Sequence, residues 1–249
     1  MRVLLERVDP KGTFVTGLLD LLGQLSDGES AVLGVTHAGP AEALGTCLPS
    51  SADHALADAF ETVRGEGRSR NVTLGDGRRI YIEVLAPPPS ILICGAGPDA
   101  VPLVHLLTGL GFAVTVADHR PLYLDTADWR GAKTSLGPAA TLDARLRLDV
   151  FHAAVVMSHH LASDEAYLAA LAQSPVRSVG LLGPRARRER LLSALGPTAA
   201  ALRPRLRGPV GLDIGAVTPE AIALAIAAEI HALAARRLAT IAGTCDDLP

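Results

Sequence analysis

The clearest chemical signature in the chain is a glycine-rich turn, Gly95-Ala96-Gly97-Pro98-Asp99-Ala100, which follows an apolar run and opens a helical pattern. In this G-x-G-x-x-A spacing, Gly95 permits a tight turn, Gly97 lets the backbone approach a phosphate, and the small Ala100 lets helix and strand pack closely. Amide N–H groups and the helix dipole favour an anion at such a helix start. The turn therefore predicts a ligand that carries phosphate. The alternative is a sharp turn, or a relic of a nucleotide fold, that binds nothing.

Asp118 ends the next apolar run, 23 residues after Gly95. An acid about 20 residues beyond the first glycine commonly binds a ribose hydroxyl in dinucleotide-binding folds. This spacing keeps NAD(P) among the ligands that the turn could hold, and the acid suits NAD more than NADP.

Polar residues also follow two later apolar runs. Ser158, His159 and His160 come directly after Met157, and Gly183-Pro184-Arg185 follows the next run. Because the carboxyl ends of parallel strands meet at one edge of a sheet, we expect these residues to share a cleft with the glycine-rich turn. Imidazoles could orient a ligand or move protons there, and Arg185 could clamp a phosphate in bidentate fashion.

Three features near this edge leave alternatives open. The arginines between positions 187 and 190 form either part of a phosphate clamp or a solvated helix face. Asp213, in the loop Gly211–Ala216, either faces the cleft or holds its own turn. We predict no metal at His159-His160, because adjacent side chains of an extended chain point to opposite sides and a third ligand is not evident.

The elements that must position these residues divide at Ala86-Pro87-Pro88-Pro89-Ser90, a stiff proline segment that suits a linker. After it, short apolar runs alternate with helical patterns, which is typical of a parallel sheet covered on both faces. We predict an α/β protein with a C-terminal Rossmann-like doubly wound parallel sheet in residues 90–249 and a smaller N-terminal α+β domain in residues 1–86. In the smaller domain we predict two helices, a strand near 30–36 and a hairpin that turns at Asp76-Gly77.

Composition excludes several functional classes. With 249 residues, 49% of them hydrophobic and 20% charged, the chain can bury a core. A net charge of −3 argues against nucleic acid as a partner, and no apolar stretch reaches the ~18 residues of a membrane span. The start, Met1–Arg7, lacks the apolar core of a signal peptide, so we expect a cytoplasmic protein. Lys11 and Lys133 are the only lysines, which makes Arg185 the expected phosphate clamp.

Cysteine usage gives a weaker signal. Cys47, Cys94 and Cys245 are widely spaced and odd in number, which indicates neither a disulfide framework nor a zinc site.

Several segments together resemble the XdhC/CoxI family, accessory proteins of xanthine dehydrogenase and related molybdenum hydroxylases. Gly211 to Ile230 carries the family's G-L-D-I-G-A-x-T-P-E-x-I-A-x-x-I-x-A-E-I signature almost letter for letter. Further matches are the glycine-rich turn, Asp118-His119-Arg120 after the second strand, the Gly180–Arg188 run and, loosely, Ser158-His159-His160. The resemblance covers the chain from about Ser90 to Leu233.

The resemblance implies a non-catalytic accessory protein. It would bind molybdenum cofactor, protect the cofactor while a sulfido ligand is installed, and deliver it to an apo-hydroxylase client. A cysteine desulfurase is a further implied partner, and a homodimer is the implied assembly. The phosphate end of the cofactor would lie at Gly95–Ala100 beside Asp118 and Arg185. Its pterin and metal end would lie between the domains, near Cys47 and His159.

The first domain departs from the family pattern. Relatives usually carry a G-S-S-x-R-x-x-G stretch, which has no counterpart in this chain, and then Gly-Gly-Cys-x-Glu. The second motif is represented only by Gly45-Thr46-Cys47-Leu48-Pro49, and Pro98 stands where relatives often have histidine. Cys47 is placed either as a thiolate that meets molybdenum or a pterin sulfur, or as a small buried side chain.

Two other functions remain open on the residues. One is an NAD(P)-dependent oxidoreductase, which the turn and Asp118 favour but for which no proton donor stands out beyond the histidine pair. The other is a nucleotide-sensing Rossmann module that regulates a partner.

Overall fold

The computed structural model describes residues 9–26, 28–49 and 52–242, and the chain forms two compact units. One unit takes in the chain up to Pro88 together with the chain from Ala235 onward, and the other is Pro89–Ala234. The division after Pro88 falls inside the proline segment. Two features of the sequence lie outside the described residues. They are the start Met1–Arg7, which lacks the apolar core of a signal peptide, and Cys245.

The first unit contains a four-stranded antiparallel sheet and two helices, as its α+β pattern predicts. Its helix α2 starts after Asp53, whose carboxylate accepts a hydrogen bond from the Leu56 N–H at 2.9 Å. The predicted hairpin turns at Gly77, where φ is +87°. In chain order the elements are α1 Thr13–Ser26, β1 Ala31–Ala38, β2 Gly45–Cys47, α2 His54–Glu66, β3 Arg70–Thr73 and β4 Arg79–Leu85, and the strand order is β2-β1-β4-β3.

The second unit is built on a six-stranded sheet in which every pair of neighbouring strands is parallel. The strands are β5 Ser90–Cys94, β6 Ala113–Asp118, β7 Lys133–Leu136, β8 Ala153–Val156, β9 Ser178–Leu181 and β10 Leu206–Arg207. From β7 the order is β7-β6-β5-β8-β9-β10, which is the doubly wound Rossmann order. The predicted fold class is confirmed.

The two faces of this sheet are buried in separate cores, because side chains alternate along each strand. In β5, Leu92 and Cys94 join the core that contains Tyr167, whereas Ile91 and Ile93 join the one that contains Ile226. These four residues of the five in β5 are at most 1% exposed. Burial on both faces explains why this strand is a continuous apolar run in the sequence.

Helices cover the two faces of the sheet. They are α3 Ala100–Gly109, α4 Pro121–Thr126, α5 Leu142–Arg145, α6 Leu161–Ala172, α7 Arg185–Ala194, α8 Ala199–Leu202 and α9 Pro219–Ala242. The apolar run that ends at Met157 forms β8 only from Ala153, because Leu148–Val150 forms a 3-10 turn before it. Among the described helices, none is both long and apolar enough to cross a membrane.

Arg205 ties three elements of the second unit together without a carboxylate partner among the described residues. Its guanidinium donates to the carbonyls of Leu171 and Ala172, at 2.9 and 3.0 Å, at the end of α6. It also donates to Ser174, Val176 and Ala201. Burial lowers the pKa of Arg205, and the five carbonyls satisfy the donors of the guanidinium.

We expect Arg205→Met to lower the free energy of unfolding by about 3 kcal/mol, because it removes the five hydrogen bonds that the guanidinium donates to backbone carbonyls. Urea unfolding followed by circular dichroism measures this. Arg203→Met, at an exposed neighbour, is the matched control and should change stability by less than about 0.5 kcal/mol. Equal effects of the two substitutions would contradict the bridging role of Arg205.

Candidate functional site

The candidate site lies where the strand order reverses, between β5 and β8. Ligands of open parallel sheets bind in the crevice outside the carboxyl ends of the strands at this point. The glycine-rich turn follows β5, and Ser158 and His159 follow β8. The topology therefore places the two segments with the strongest sequence signals beside each other.

Gly95 allows the two segments to touch. Its φ is +121°, and its N–H donates to the carbonyl of Ala117 at 2.8 Å. A Cβ atom at this position would lie 2.7 Å from the carbonyl carbon and oxygen of Met157 and from the Cα of Ser158. Only glycine fits here, and the floor of the crevice is backbone packed against backbone.

Asp99 occupies the position over Gly97 where the sequence predicts a phosphate. A Cβ built on Gly97 would lie 2.6 Å from Asp99 Oδ1. Asp99 directly precedes α3, and its side chain makes no capping hydrogen bond. The Asp99 carboxylate therefore lies over the glycine-rich turn beside the start of α3, without a hydrogen bond to the first amides of the helix.

His159 reaches from β8 across the crevice to this carboxylate. Its Nε2 lies 2.6 Å from Asp99 Oδ2, and its side chain is 61% exposed. The backbone of His159 is left-handed, with φ of +58°. Such a conformation costs a non-glycine residue about 1 kcal/mol or more and is concentrated at functional sites. The Asp99–His159 pair forms the exposed rim of the crevice.

Asp118 is buried, and its carboxylate is fully engaged. It accepts hydrogen bonds from the Ala96 N–H at 2.7 Å, and from Arg120 through the backbone N–H at 2.9 Å, Nε at 3.0 Å and Nη2 at 2.8 Å. Burial raises the pKa of Asp118, but the hydrogen bonds from Arg120 and the backbone of Ala96 outweigh it and lower the pKa to about 2. Since a carboxylate has about four acceptor sites, Asp118 braces the turn and has none left for a ribose hydroxyl.

Arg120 is held on two sides. One edge of its guanidinium pairs with Asp118, and its Cζ lies 4.1 Å from the centre of the Tyr123 ring. The side chain remains 33% exposed. Arg120 therefore offers a positioned cation close to the glycine-rich turn.

A second buried acid supports the other wall of the crevice. Asp164 accepts from the Ser158 hydroxyl at 2.5 Å, and from Arg187 through Nε at 3.1 Å and Nη2 at 2.7 Å. A Cβ on Gly183 would lie 2.8 Å from the Arg187 side chain, so glycine is needed there as well. Arg187 is thus neither a ligand clamp nor a solvated residue. Ser158 belongs to the same support.

The other predicted residues make fewer contacts. Arg185 begins α7 and is exposed, with no side-chain hydrogen bond or ion pair found among the described residues. Pro98 and Asp213 are exposed as well. His160 caps α6, where its Nδ1 accepts from the Ser163 N–H at 3.3 Å. Of these residues, Arg185 has a positively charged side chain that a ligand could reach.

The two described cysteines differ in environment. Cys94 is completely buried, and burial raises the pKa of its thiol far above the ordinary value, as befits a core residue. Cys47, in the first unit, ends β2 and is half-buried, and its Sγ lies 3.2 Å from the Thr36 hydroxyl. Cys47 is the more accessible thiol of the two.

Sequence reasoning missed Asp99, Asp164 and the supporting role of Arg187. The spacing of Gly97 and Asp99 is fixed by the motif, but a sequence does not show that a side chain folds back over its own turn. Asp164 lies six residues after Ser158, within the first turn of α6, and this placement could have suggested that it bonds to the strand end.

The site residues fit a terminal phosphate better than a dinucleotide. The Asp99 carboxylate lies over Gly97 in the glycine cradle, so a phosphate could take its place if the Asp99 side chain turned away. A dinucleotide would lack its usual ribose contact, because Asp118 has no free acceptor for a ribose hydroxyl. No group of three or more metal-ligating side chains is found in the described part of the chain.

Comparison with known proteins places the second unit in a family. A model described as "XdhC Rossmann domain" matches residues 91–230, more than half of the chain. Over 153 residues the chain is 36% identical to a Bacillus subtilis protein named as a probable xanthine dehydrogenase component, covering 61% of this chain and 44% of that protein. Over 158 residues it is 29% identical to the uncharacterized protein YqeB of Escherichia coli, covering 63% and 29%.

The chain thus spans less than half the length of these curated relatives. Among solved structures, it is similar to a protein described as a xanthine dehydrogenase from Bacillus halodurans, with a TM-score of 0.59 and 21% identity. That match covers 93% of this chain and 83% of the other, and it supports the fold.

We expect Gly95→Ala to destabilise the protein by more than about 3 kcal/mol, because a methyl group would collide with the backbone after β8 and φ is positive. Gly111→Ala is the matched control, since Gly111 also has a positive φ, of +83°, but faces open space. It should cost about 1 kcal/mol. Thermal unfolding of the two variants measures the difference, and similar losses would contradict the close approach.

We expect Asp118 to stabilise the fold in a pH-dependent way. Its folded pKa is about 2, below that of an unfolded aspartate, so its contribution is complete above about pH 4 and is lost as the pH falls towards 2. The difference in unfolding free energy between wild type and Asp118→Asn should shrink by about 2 kcal/mol between about pH 6 and pH 2.5. Urea unfolding at several pH values measures it.

Asp125→Asn, at an exposed position on α4, should show no such pH dependence. A difference between wild type and Asp118→Asn that stays constant with pH would contradict the bracing role of the Asp118 carboxylate.

Proposed function

Because the chain belongs to the XdhC family, we propose that it is an accessory protein of a xanthine dehydrogenase-type molybdenum hydroxylase. In this role it binds molybdenum cofactor and assists its sulfuration and its insertion into the client enzyme. The observation that carries the proposal is the glycine cradle at the strand-order reversal, where the Asp99 carboxylate lies over Gly97. The xanthine dehydrogenase names of the relatives support the choice of client.

The residues of the crevice would hold the phosphate end of the cofactor. The backbone at Gly95 and Gly97 and the first amides of α3 would receive the phosphate, and Arg120 and Arg185 would balance its charge. Asp99 and His159 would have to separate first. Their contact involves side-chain atoms only, so rotation about side-chain bonds is enough to open the cradle.

In this role the residues of the crevice bind and position the cofactor and perform no catalytic step. The molybdenum cofactor, when bound to a client, supplies the oxygen-transfer and electron-transfer chemistry. Cys47, a half-buried thiol within reach of the Thr36 hydroxyl, is the side chain of the first unit best suited to meet a soft metal or a sulfur atom. A cysteine desulfurase as sulfur donor, a homodimeric assembly and a cytoplasmic location complete the proposal.

An NAD(P)-dependent oxidoreductase is the second candidate, and the Rossmann strand order favours it. The engaged carboxylate of Asp118 weighs against it, because a ribose hydroxyl would have to displace Arg120 or the Ala96 N–H. A nucleotide-sensing module, the third candidate, would bind its nucleotide in the same cradle. No additional contact among the described residues favours it. Titration with NADH, followed by its fluorescence, separates these candidates from the first.

We expect the purified protein to retain free molybdenum cofactor through anaerobic gel filtration, measured as molybdenum and pterin that co-elute with the protein. Gly97→Ala should weaken retention about tenfold or more, because a methyl group would enter the cradle on a backbone that tolerates alanine. Asp99→Asn should strengthen it by up to about tenfold, because a competing negative charge is removed.

Gly109→Ala, a change at the end of α3 with open space around it, is the control and should leave retention unchanged. Failure of the wild type to retain the cofactor would overturn the proposed function. Unchanged retention in both Gly97→Ala and Asp99→Asn would show that the cofactor binds elsewhere.

A further inference from the structure

A cavity of about 480 Å³ lies in the Pro89–Ala234 unit at the edge of the sheet opposite the crevice. Its lining includes Ser90, Ala113 and Lys133, the first residues of β5, β6 and β7, together with Phe151 just before β8. The glycine-rich turn follows the other end of β5. Five residues of strand separate the two places by roughly 16 Å at about 3.3 Å per residue, so this cavity is distinct from the proposed cofactor site.

Core side chains form the apolar walls of this cavity. Phe112, Val114 and Phe151 line it and are 4% to 8% exposed. Leu146 and Val150 add further apolar surface. Because the buried parts of these side chains belong to the cores on both faces of the sheet, the walls are fixed before any ligand arrives. A preformed apolar cavity of a few hundred cubic ångströms is the usual setting for a small organic ligand.

The charged residues that line the cavity are all cations. They are Arg130, Lys133 and Arg147, and no carboxylate lines it among the described residues. Arg147 pairs with Asp149 at 2.7 Å, outside the lining, and Arg130 lies 4.0 Å from Asp128. Lys133 has no ion pair within the described part of the chain. Lys133 is therefore the positive charge most available to a ligand.

The backbone also presents Arg130 in an uncommon conformation. Its φ is +46°, and the Arg130 N–H donates to Asp128 Oδ1 at 3.0 Å. This turn, followed by Gly131, carries the chain directly into β7 and places Arg130 and Lys133 on the same cavity. Two cations beside an apolar wall match a molecule with an anionic group at one end and an apolar body.

We propose that this cavity binds a small amphipathic organic anion. Its aromatic or branched aliphatic body would pack against Phe112 and Phe151, and its carboxylate, sulfonate or phosphate would meet Lys133 and Arg130. The size of the cavity suits a metabolite-sized molecule. This binding is independent of the proposed cofactor role, because it uses neither the glycine cradle nor the rim of the crevice.

The probe for this site is 1-anilinonaphthalene-8-sulfonate, which combines an aromatic body with one sulfonate. Fluorescence titration of the full chain at low salt should give saturable binding. Lys133→Glu should weaken it about tenfold or more, because a favourable charge contact becomes a repulsive one. Ala113→Trp, which keeps the charge but fills the cavity from an exposed position at the start of β6, should weaken it as strongly.

Two controls match these variants. Lys11→Glu makes the same charge change at the other lysine, in the first unit, and Leu110→Trp adds an indole at an exposed position outside the lining. Both should bind the probe as the wild type does, and thermal melts check that all four variants are folded. Wild-type binding by both Lys133→Glu and Ala113→Trp would overturn the proposal.

A second measurement uses the wild-type protein alone. Because Lys11 and Lys133 are the only lysines, acetylation by an amine-reactive ester and mass spectrometry report on each of them separately. Saturating probe should slow the modification of Lys133 more than about fivefold and leave that of Lys11 unchanged. Equal rates at Lys133 with and without the probe would overturn the proposal even if a variant failed to fold.

Discussion

The candidate site depends on the buried carboxylate of Asp118. It accepts from the N–H of Ala96, which is 2% exposed and would otherwise lack a partner, and so fixes the glycine-rich turn to the end of the neighbouring strand. The same carboxylate aligns the Arg120 guanidinium, which in turn lies over the Tyr123 ring. Because four donors share two oxygen atoms, one carboxylate connects the turn, the strand end and the cation.

The wall on the other side repeats this arrangement with different residues. There the buried acid Asp164 pairs with Arg187. It accepts a hydrogen bond from the Ser158 hydroxyl, just as Asp118 accepts one from the N–H of the glycine-rich turn. Besides any contribution to stability, both ion pairs have a positional effect, because a planar guanidinium with several fixed donors sets the direction of the chain that leaves each strand. Nearly all the positively charged residues of this chain are arginines, and these two ion pairs show one structural role for them.

Most of the fold was predictable from sequence, because burial on both faces makes β5, β6 and β9 short apolar runs between helical patterns. The short strands β7 and β10 were missed, since Lys133–Leu136 and Leu206–Arg207 are too short or too polar to form a recognisable run. At the site, the φ of +121° at Gly95 fits the tight turn that the glycine spacing predicts. The partners of Asp118 were not, because an acid that binds a ligand and an acid that braces a turn occupy the same position in the sequence. Only the count of donors around its oxygen atoms distinguishes them.

The close backbone packing at Gly95 has a consequence for the speed of binding. The floor of the crevice is closely packed backbone, whereas its rim consists of the Asp99 and His159 side chains, which meet in an exposed contact. Opening such a rim takes a rotamer change, which in exposed residues occurs in picoseconds to nanoseconds, and not a domain motion of microseconds or longer. A ligand would therefore need only side-chain rotations at the rim to reach the cradle. Its association rate would be set by diffusion and charge, and the time it stays bound by the contacts made beneath the rim.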